Sequence, residues 1–434
     1  MKQNDPFTLP ITWVKNLSSI KMMKQSIAIA LMIMFAGIFI SCEQEPDPKP
    51  DLKPKDIPVS AETKQLIESD NHFGIELFKQ VIAGQKSDTN ALVSPLSVSM
   101  ALAMTYNGAG GETKTAMEET MYLNGLTTEQ INESYKSLIE QLLSVDPQVT
   151  MELANSIWYD DRLSVEQDFI DANQEYYDAQ VNCLDLEAPD AADIINQWCS
   201  DQTHGKIEEV LDFIPPRAVM YLINALYFNG TWKYEFDPSL TDHQPFYREN
   251  GQEVTTDMMH LEGDLNYLSH QMFQAVELPY GRGNYSMVCM LPGEDLPVDE
   301  LIGEITAASW RQWMDDFEKM GCDLSLPKFK FEFSDSLNTA LRNMGMGMAF
   351  DSQRADFTGI NPTHPLWINR VLHKTFIEVD ERGTEAAAVT AVEMFDNASD
   401  PGGPISVTFD RPFLFAIREV STGTIVFLGK VENP

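Results

Sequence analysis

The chain has 434 residues, 43% of them apolar and 22% charged, an ordinary composition for a globular protein with a sizeable core. Its 66 acidic side chains outnumber 30 basic ones, and a net charge of −36 repels phosphate backbones, which excludes nucleic acid as a partner class. No cysteine pair has C-x-x-C spacing and no nearby histidines complete a zinc pattern, so neither a metal nor another cofactor is expected.

The N-terminal region reads as a targeting signal. Lys24 precedes an apolar stretch of 14 residues, 27–40, and Ser41-Cys42 follows. At 1.5 Å per residue the stretch rises about 21 Å, short of a hydrocarbon core of about 30 Å. A secretory signal over residues 1–41 therefore fits better than a membrane span, with residues 1–21 upstream of a better start at Met22 or Met23. The run Phe39-Ile40-Ser41-Cys42 is similar to a bacterial lipobox, in which the cysteine carries the lipid. Phe39 stands where leucine is usual, and a signal cut elsewhere is the alternative. Residues 42–62 hold Pro46, Pro48, Pro50, Pro54 and Pro58 and read as an extended, acidic tether. The expectation is an exported bacterial lipoprotein, periplasmic or on the cell surface, touching the membrane through its lipid alone; a secreted protein is the alternative.

From residue 63 to 434 no long linker interrupts the chain, and one domain is expected. Residues 63–83 place Phe73, Leu77 and Val81 at helical spacing, with Phe78 and Ile82 beside them. A short strand "ALV" leads into "SPLSVSMALAMTYNGA", where Pro95 suits a first helical turn after Ser94 and Gly108 suits the end. Further helices are expected over 112–121, 127–144, 165–177, 190–200, 297–315 and 335–344. The segments "MYLINALYF", "FQAVELPY", "YSMVCMLP", "LSLPKFKFEF", "FIEVDE", "FLFAIREV" and "TIVFLGKV" have strand length and Gly, Pro or Asn boundaries. "YGRGNY" at 280–285 reads as a hairpin turn. Helices early and strands late define an α+β protein.

Catalytic signatures are missing: there is no G-x-S-x-G, H-E-x-x-H, Walker A or dinucleotide-binding glycine turn, and an enzyme is not expected. Cys289 falls in an apolar strand and reads as a small buried hydrophobe. For Cys183 and Cys199 a disulfide and free thiols both fit, and Cys322 is unassigned. His373, in "VLHKTFIEVD", reads as a core histidine with satisfied hydrogen bonds.

Nine segments in order resemble the serpin family: "NALVSPLSVSMALAMTYNGAGGET", "ANSIW", "INQWCSDQTHGKI", "LINALYFNGTWKYEFDP", "VELPYG", "LPKFKFE", "MGMGMAFDSQRADFTGI", "LHKTFIEVDERGTEAAAVT" and "FDRPFLFAIRE". The resemblance spans about residues 66–432 and implies a serpin fold of three β-sheets and about nine helices, with an exposed reactive loop over about 381–408. It implies a polar shutter of Asn90, Ser94, Ser97, Asn224 and His373 beneath the main sheet, and Trp232 at the breach where the loop enters. It implies a hinge of Glu381, Gly383, Thr384, Glu385, Ala386, Ala387 and Ala388. The implied activity is irreversible suicide inhibition by a monomer: a protease cleaves the loop, the loop inserts into the sheet, and the protease is trapped as an acyl-enzyme.

The loop sequence can be weighed physically. Alternation from Thr384 puts Ala386, Ala388, Thr390, Val392 and Met394 on its face, all neutral, and puts Glu385 and Glu393 on the other. A buried lone carboxylate costs several kcal/mol, so this phasing suits insertion. No proline interrupts the hinge to remove a ladder donor. Family spacing from Glu381 puts the reactive bond at Asn397-Ala398, with Phe395 and Asp396 as alternatives. No Lys or Arg lies between Gly383 and Asp410, which disfavours a trypsin-like target. Elastase-, chymotrypsin- or papain-like proteases remain as partners. The competing functions are a non-inhibitory serpin acting as a binding or carrier module, and a surface hydrolase.

Overall fold

The computed structural model describes residues 53–86, 88–384 and 403–434. Cys42, Glu385, Ala386, Ala387, Ala388 and the bond positions Phe395, Asp396, Asn397 and Ala398 lie outside them.

Helix α1 (Ala61–Gly84) starts where the Ser60 hydroxyl accepts from the Thr63 amide, and it buries Leu66, Phe73, Leu77, Phe78 and Val81 on one face. It begins two residues before the expected start. The chain ahead of it is already docked: Ile57 is buried and its amide donates to Ser421 Oγ at 3.0 Å, while Asn284 exchanges bonds with the Lys55 amide and carbonyl. The last residues assigned to the tether are thus part of the folded body.

Strand β1 (Ala91–Val93) feeds α2 (Pro95–Tyr106), which Ser94 caps through the Ser97 amide with Pro95 in the first turn. Gly108 follows the end for a packing reason: a Cβ there would stand 2.2 Å from Ile360 Cγ1. Then come α3 (Gly111–Thr120), α4 (Thr128–Leu142), β2 (Val149–Asp160), α5 (Gln167–Tyr177), β3 (Gln180–Leu184) and α6 (Ala191–Gln202). A reciprocal Thr127/Gln130 capping box opens α4. The long strand β4 (Met220–Thr231) follows.

The second half is mostly strand: β5 (Asp242–Tyr247), β6 (Glu253–Ser269), β7 (Phe273–Tyr280) and β8 (Tyr285–Pro292), then α7 (Val298–Glu304) and α8 (Ala307–Asp315), then β9 (Glu318–Pro327) and β10 (Phe329–Ser336). After α9 (Asn338–Asn343) come β11 (Leu372–Asp380), β12 (Gly383–Thr384), β13 (Ile405–Thr408), β14 (Phe413–Glu419) and β15 (Ile425–Val431). Nine α-helices therefore lie among the described residues. The expected single helix at 297–315 is two, because Ile305 is extended and Thr306 caps a new start.

Two hydrogen-bonded networks hold the strands. One runs β10-β11-β12-β4-β2-β3, and the other runs β1-β15-β14-β8-β7-β6-β9-β13 with β5 on β6. Strand β6 pairs β9 from Met258 to Tyr267 but meets β7 only over Asn266–Ser269, so two of the three expected sheets join through this one strand. The β7–β8 hairpin has its turn at the predicted glycines, Gly281 at φ 50° and Gly283 at φ 99°.

The four described cysteines are free thiols. Cys183 is exposed on β3, whereas Cys199 turns into an apolar cluster with Trp158, Ile195 and Leu211, so no Cys183–Cys199 disulfide forms. Cys289 is buried in β8 as its sequence indicated.

Candidate functional site

Strands β4 and β11 do not pair with each other and are joined in the main sheet only at one end. There β12 lies between them: Gly383 faces Thr231 and Asp380, and Thr384 faces Gly230 and Val379. A tight turn presents it. Asp380 Oδ1 accepts from the amides of Arg382 at 2.9 Å and Gly383 at 3.2 Å. Gly383 sits at φ 150°, and a Cβ on it would lie 2.1 Å from the Gly230 carbonyl oxygen, so only glycine fits.

Side chains lock this hinge from all sides. Thr384 is 3% exposed, and its hydroxyl lies 2.6 Å from the Tyr280 hydroxyl. Burial pushes the Tyr280 phenol well above its usual range, so it stays protonated. The Tyr280 ring stacks on Trp232 with centroids 4.4 Å apart, and Trp232 donates from Nε1 to the Asp380 carbonyl at 2.9 Å. The Trp232 amide also donates to the Arg382 carbonyl at 2.7 Å. Trp232 thus lies against the hinge turn and the β7–β8 hairpin. Glu381 takes the Lys328 ammonium at 3.0 Å and the Thr241 hydroxyl at 2.9 Å. Burial works to raise its carboxyl, but backbone and side-chain donors outweigh it and hold the group below the usual carboxylate range.

Beyond Thr384 the described residues leave the facing edges of β4 and β11 unpaired. Strand β4 pairs β2 on its other side and β11 pairs β10 on its other side, and no described strand joins their facing edges. A cavity of about 1050 Å³ occupies the parting, lined by Leu222 and Asn224 of β4, His373 of β11, Val98 and Leu102 of α2, and Cys199 of α6. The turn after α6 bridges it from outside. His204 bonds Glu152 at 2.9 Å on one side, and Lys206 lies 4.9 Å over the Phe376 ring on the other.

Under the parting, four of the five predicted shutter residues meet. The Ser94 amide donates to His373 Nε2 at 3.0 Å, so the His373 proton sits on Nδ1. Burial lowers His373 to about 4 and keeps it neutral. The Ser97 hydroxyl donates to Asn224 Oδ1. Asn90 is not in this cluster: its Oδ1 accepts from the Glu432 and Asn433 amides at 2.8 Å each, fastening the C-terminal strand instead. Asn90 precedes β1, which pairs with β15 in the other sheet, so its side chain is held at the C-terminal end of the chain.

Sequence reasoning missed Asn155, whose Oδ1 accepts from Asn224 Nδ2 at 2.7 Å and whose Nδ2 donates to the Tyr177 carbonyl at 2.6 Å. An amide inside the apolar run "ANSIW" was the available signal. It also missed Tyr280, Lys328 and Thr241, because their partners lie 104, 53 and 140 residues away.

The site is thus built on two long strands that a two-residue strand, opening on a glycine, joins at one end and that no other described strand bridges. The chain belongs to the serpin family: the family model described as Serpin (serine protease inhibitor) matches residues 68–434. A serpin-like protein of Methanosarcina acetivorans is 34% identical over 374 residues, covering 84% of this chain and 87% of that one. Human leukocyte elastase inhibitor is 31% identical, covering 86% of this chain and 100% of its own. The crystal structure of native tengpin, a thermophilic serpin, matches with a TM-score of 0.79 and 32% identity, over 88% of this chain and 97% of tengpin. Human thyroxine-binding globulin matches with a TM-score of 0.78 and 27% identity, over 86% of this chain and all of its own.

Proposed function

We propose that this serpin is an irreversible suicide inhibitor of proteases. The observation that carries the reading is Gly383–Thr384 paired to both β4 and β11, strands whose facing edges no other described strand joins. Were that register continued, position 386 would fall between Phe228 and Ile377, and 390 between Asn224 and His373. The buried Thr384 sets the inward face, so Ala386, Ala388, Thr390 and Val392 would follow it toward the core side that α2 covers, and Glu385 and Glu393 would take the opposite face. Neutral, mostly small inward residues let the strand slide in without stranding a charge.

In this scheme the nucleophile of the protease attacks the Asn397 carbonyl, the Asn397–Ala398 bond breaks, and the amine of Ala398 leaves. Insertion then carries the acyl-enzyme away before water can release it, using strain stored in the parted sheet. With no cation between Gly383 and Asp410, the target is an elastase-, chymotrypsin- or papain-like enzyme. The inhibitor acts as a monomer held at a bacterial envelope by a lipid on Cys42. A second reading, a carrier that does not trap proteases, draws on the likeness to thyroxine-binding globulin.

Incubating the full chain with an elastase, a chymotrypsin and a papain-like protease separates the two. An SDS-stable adduct, with a released fragment starting at Ala398, supports inhibition. Loop cleavage with neither adduct nor a rise in melting temperature overturns it in favour of the carrier.

A further inference from the structure

Asp70 on α1 is a carboxyl buried with no cation to hold it. It is 3% exposed, and only its Oδ1 has a partner, the Tyr135 hydroxyl of α4 at 2.8 Å. Its Oδ2 is buried without a hydrogen bond, and so is the Ser99 hydroxyl of α2 that faces it. The other titratable group bearing on it is Tyr177 of α5, whose ring lies 5.8 Å from that of Tyr135. Both phenols are buried and held well above their usual range, so the whole surround is neutral. Burial raises the Asp70 carboxyl to about 7, with Tyr135 and Ser99 only partly opposing it.

This pocket adjoins the shutter. Ser99 lies on α2 two positions past Ser97, which holds Asn224 of β4. On the other side the Tyr177 hydroxyl donates to Asn132 at 2.7 Å, and the Tyr177 carbonyl accepts from Asn155, which in turn holds Asn224. Both routes from Asp70 end on the β4 edge of the parting.

We propose that Asp70 is a proton-operated latch: native packing of α1, α2 and α4 holds it as the neutral acid, whose hydroxyl answers Ser99, and loss of the proton loosens α2 and the free edge of β4. A charged carboxylate with one unpaired oxygen has no answer in this site except to draw in water, which parts the helices. The sign follows from linkage. The native state keeps a proton that the unfolded chain has lost between about 4 and 7, so stability falls as pH rises through that window and is level above it.

Because the latch lies in the fold, its test needs no protease and stands whether or not the chain traps one. Asp70→Asn keeps the Tyr135 bond, presents a donor to Ser99 and cannot ionise. Urea midpoints of the full chain, read by tryptophan fluorescence, are compared at pH 5, 6, 7 and 8. The midpoint of D70N relative to the parent should rise from pH 5 to 7 and then stay flat. Glu432, raised by burial to about 7, and His373 remain in both proteins and cancel in the difference. Hydrogen exchange over α2 and β4 should quicken in the parent relative to D70N by at least about tenfold between pH 5 and 7 and then hold that ratio to pH 8. A difference independent of pH, or equal exchange at pH 8, overturns the latch. If D70N does not fold, Tyr135→Phe serves: without that donor the exchange step should move to higher pH, and an unmoved step overturns the proposal.

Discussion

The Thr384 hydroxyl stands 2.6 Å from the Tyr280 hydroxyl in a pocket closed by Trp232 and Phe228, so the first residue of the loop past Gly383 already points into the body of the molecule. That contact puts the Thr384 side chain on the inward face of β12. It also connects the hinge to the β7–β8 hairpin.

Thr384→Arg should convert the inhibitor into a substrate. The guanidinium has no partner beside Tyr280, and burying it unpaired would cost several kcal/mol, which keeps the strand out of the sheet. On SDS gels the protease adduct should fall at least about tenfold while cleaved chain accumulates. Undiminished adduct would mean the inward face is misassigned.

Gly383→Ala should force the hinge from the sheet even though the change is one methyl. The added Cβ would meet the Gly230 carbonyl oxygen at 2.1 Å and the Thr231 Cα at 2.8 Å, both backbone atoms that cannot turn aside. A lower melting temperature and slower adduct formation are expected together; a variant matching the parent in both would contradict the wedged hinge.

Ser97→Leu removes the donor to Asn224 and puts a branched chain beside the parting. Leaving the buried amide oxygen unpaired costs about 1–3 kcal/mol, and a looser sheet can admit a loop from another copy. Size-exclusion chromatography after mild heating should show polymers in the variant at temperatures where the parent stays monomeric. A monomeric variant as heat-resistant as the parent rules out this role.

Acid should weaken the shutter through His373. Burial lowers its folded value to about 4 against an ordinary value near 6.5, so its contribution is complete above about 6.5 and is lost as pH falls towards 4. The loss amounts to about 3 kcal/mol at the lower limit. His373→Gln should flatten urea midpoints between pH 6.5 and 4 relative to the parent; an unchanged slope would show that another group titrates there.

Much of the frame was legible from local patterns. The Pro95 helix start, the apolar stripe of α1, the "YGRGNY" hairpin and the boundaries of β7 and β8 are set by neighbours along the chain, so composition and spacing expose them. Strand β6 was invisible for a local reason. Asp257, Glu262 and Asp264 face solvent along it, and Gly263 interrupts the apolar positions. Asn90 shows the opposite error: a position matched by motif went to the C-terminal tail, because which polar groups meet depends on distances no motif carries.

The sequence by itself determined that the chain makes an α+β body with a proline-free, small-residue hinge whose neutral face is in phase for a strand. Those are properties of adjacent residues, and adjacency is what a sequence records. Only the tertiary structure decided that β4 and β11 stand apart, that Thr384 meets Tyr280, and that Asp70 is sealed against Ser99 without a counter-charge. Each of these joins groups far apart in the chain, and their energies come from burial and hydrogen-bond geometry that exist only once the elements have packed.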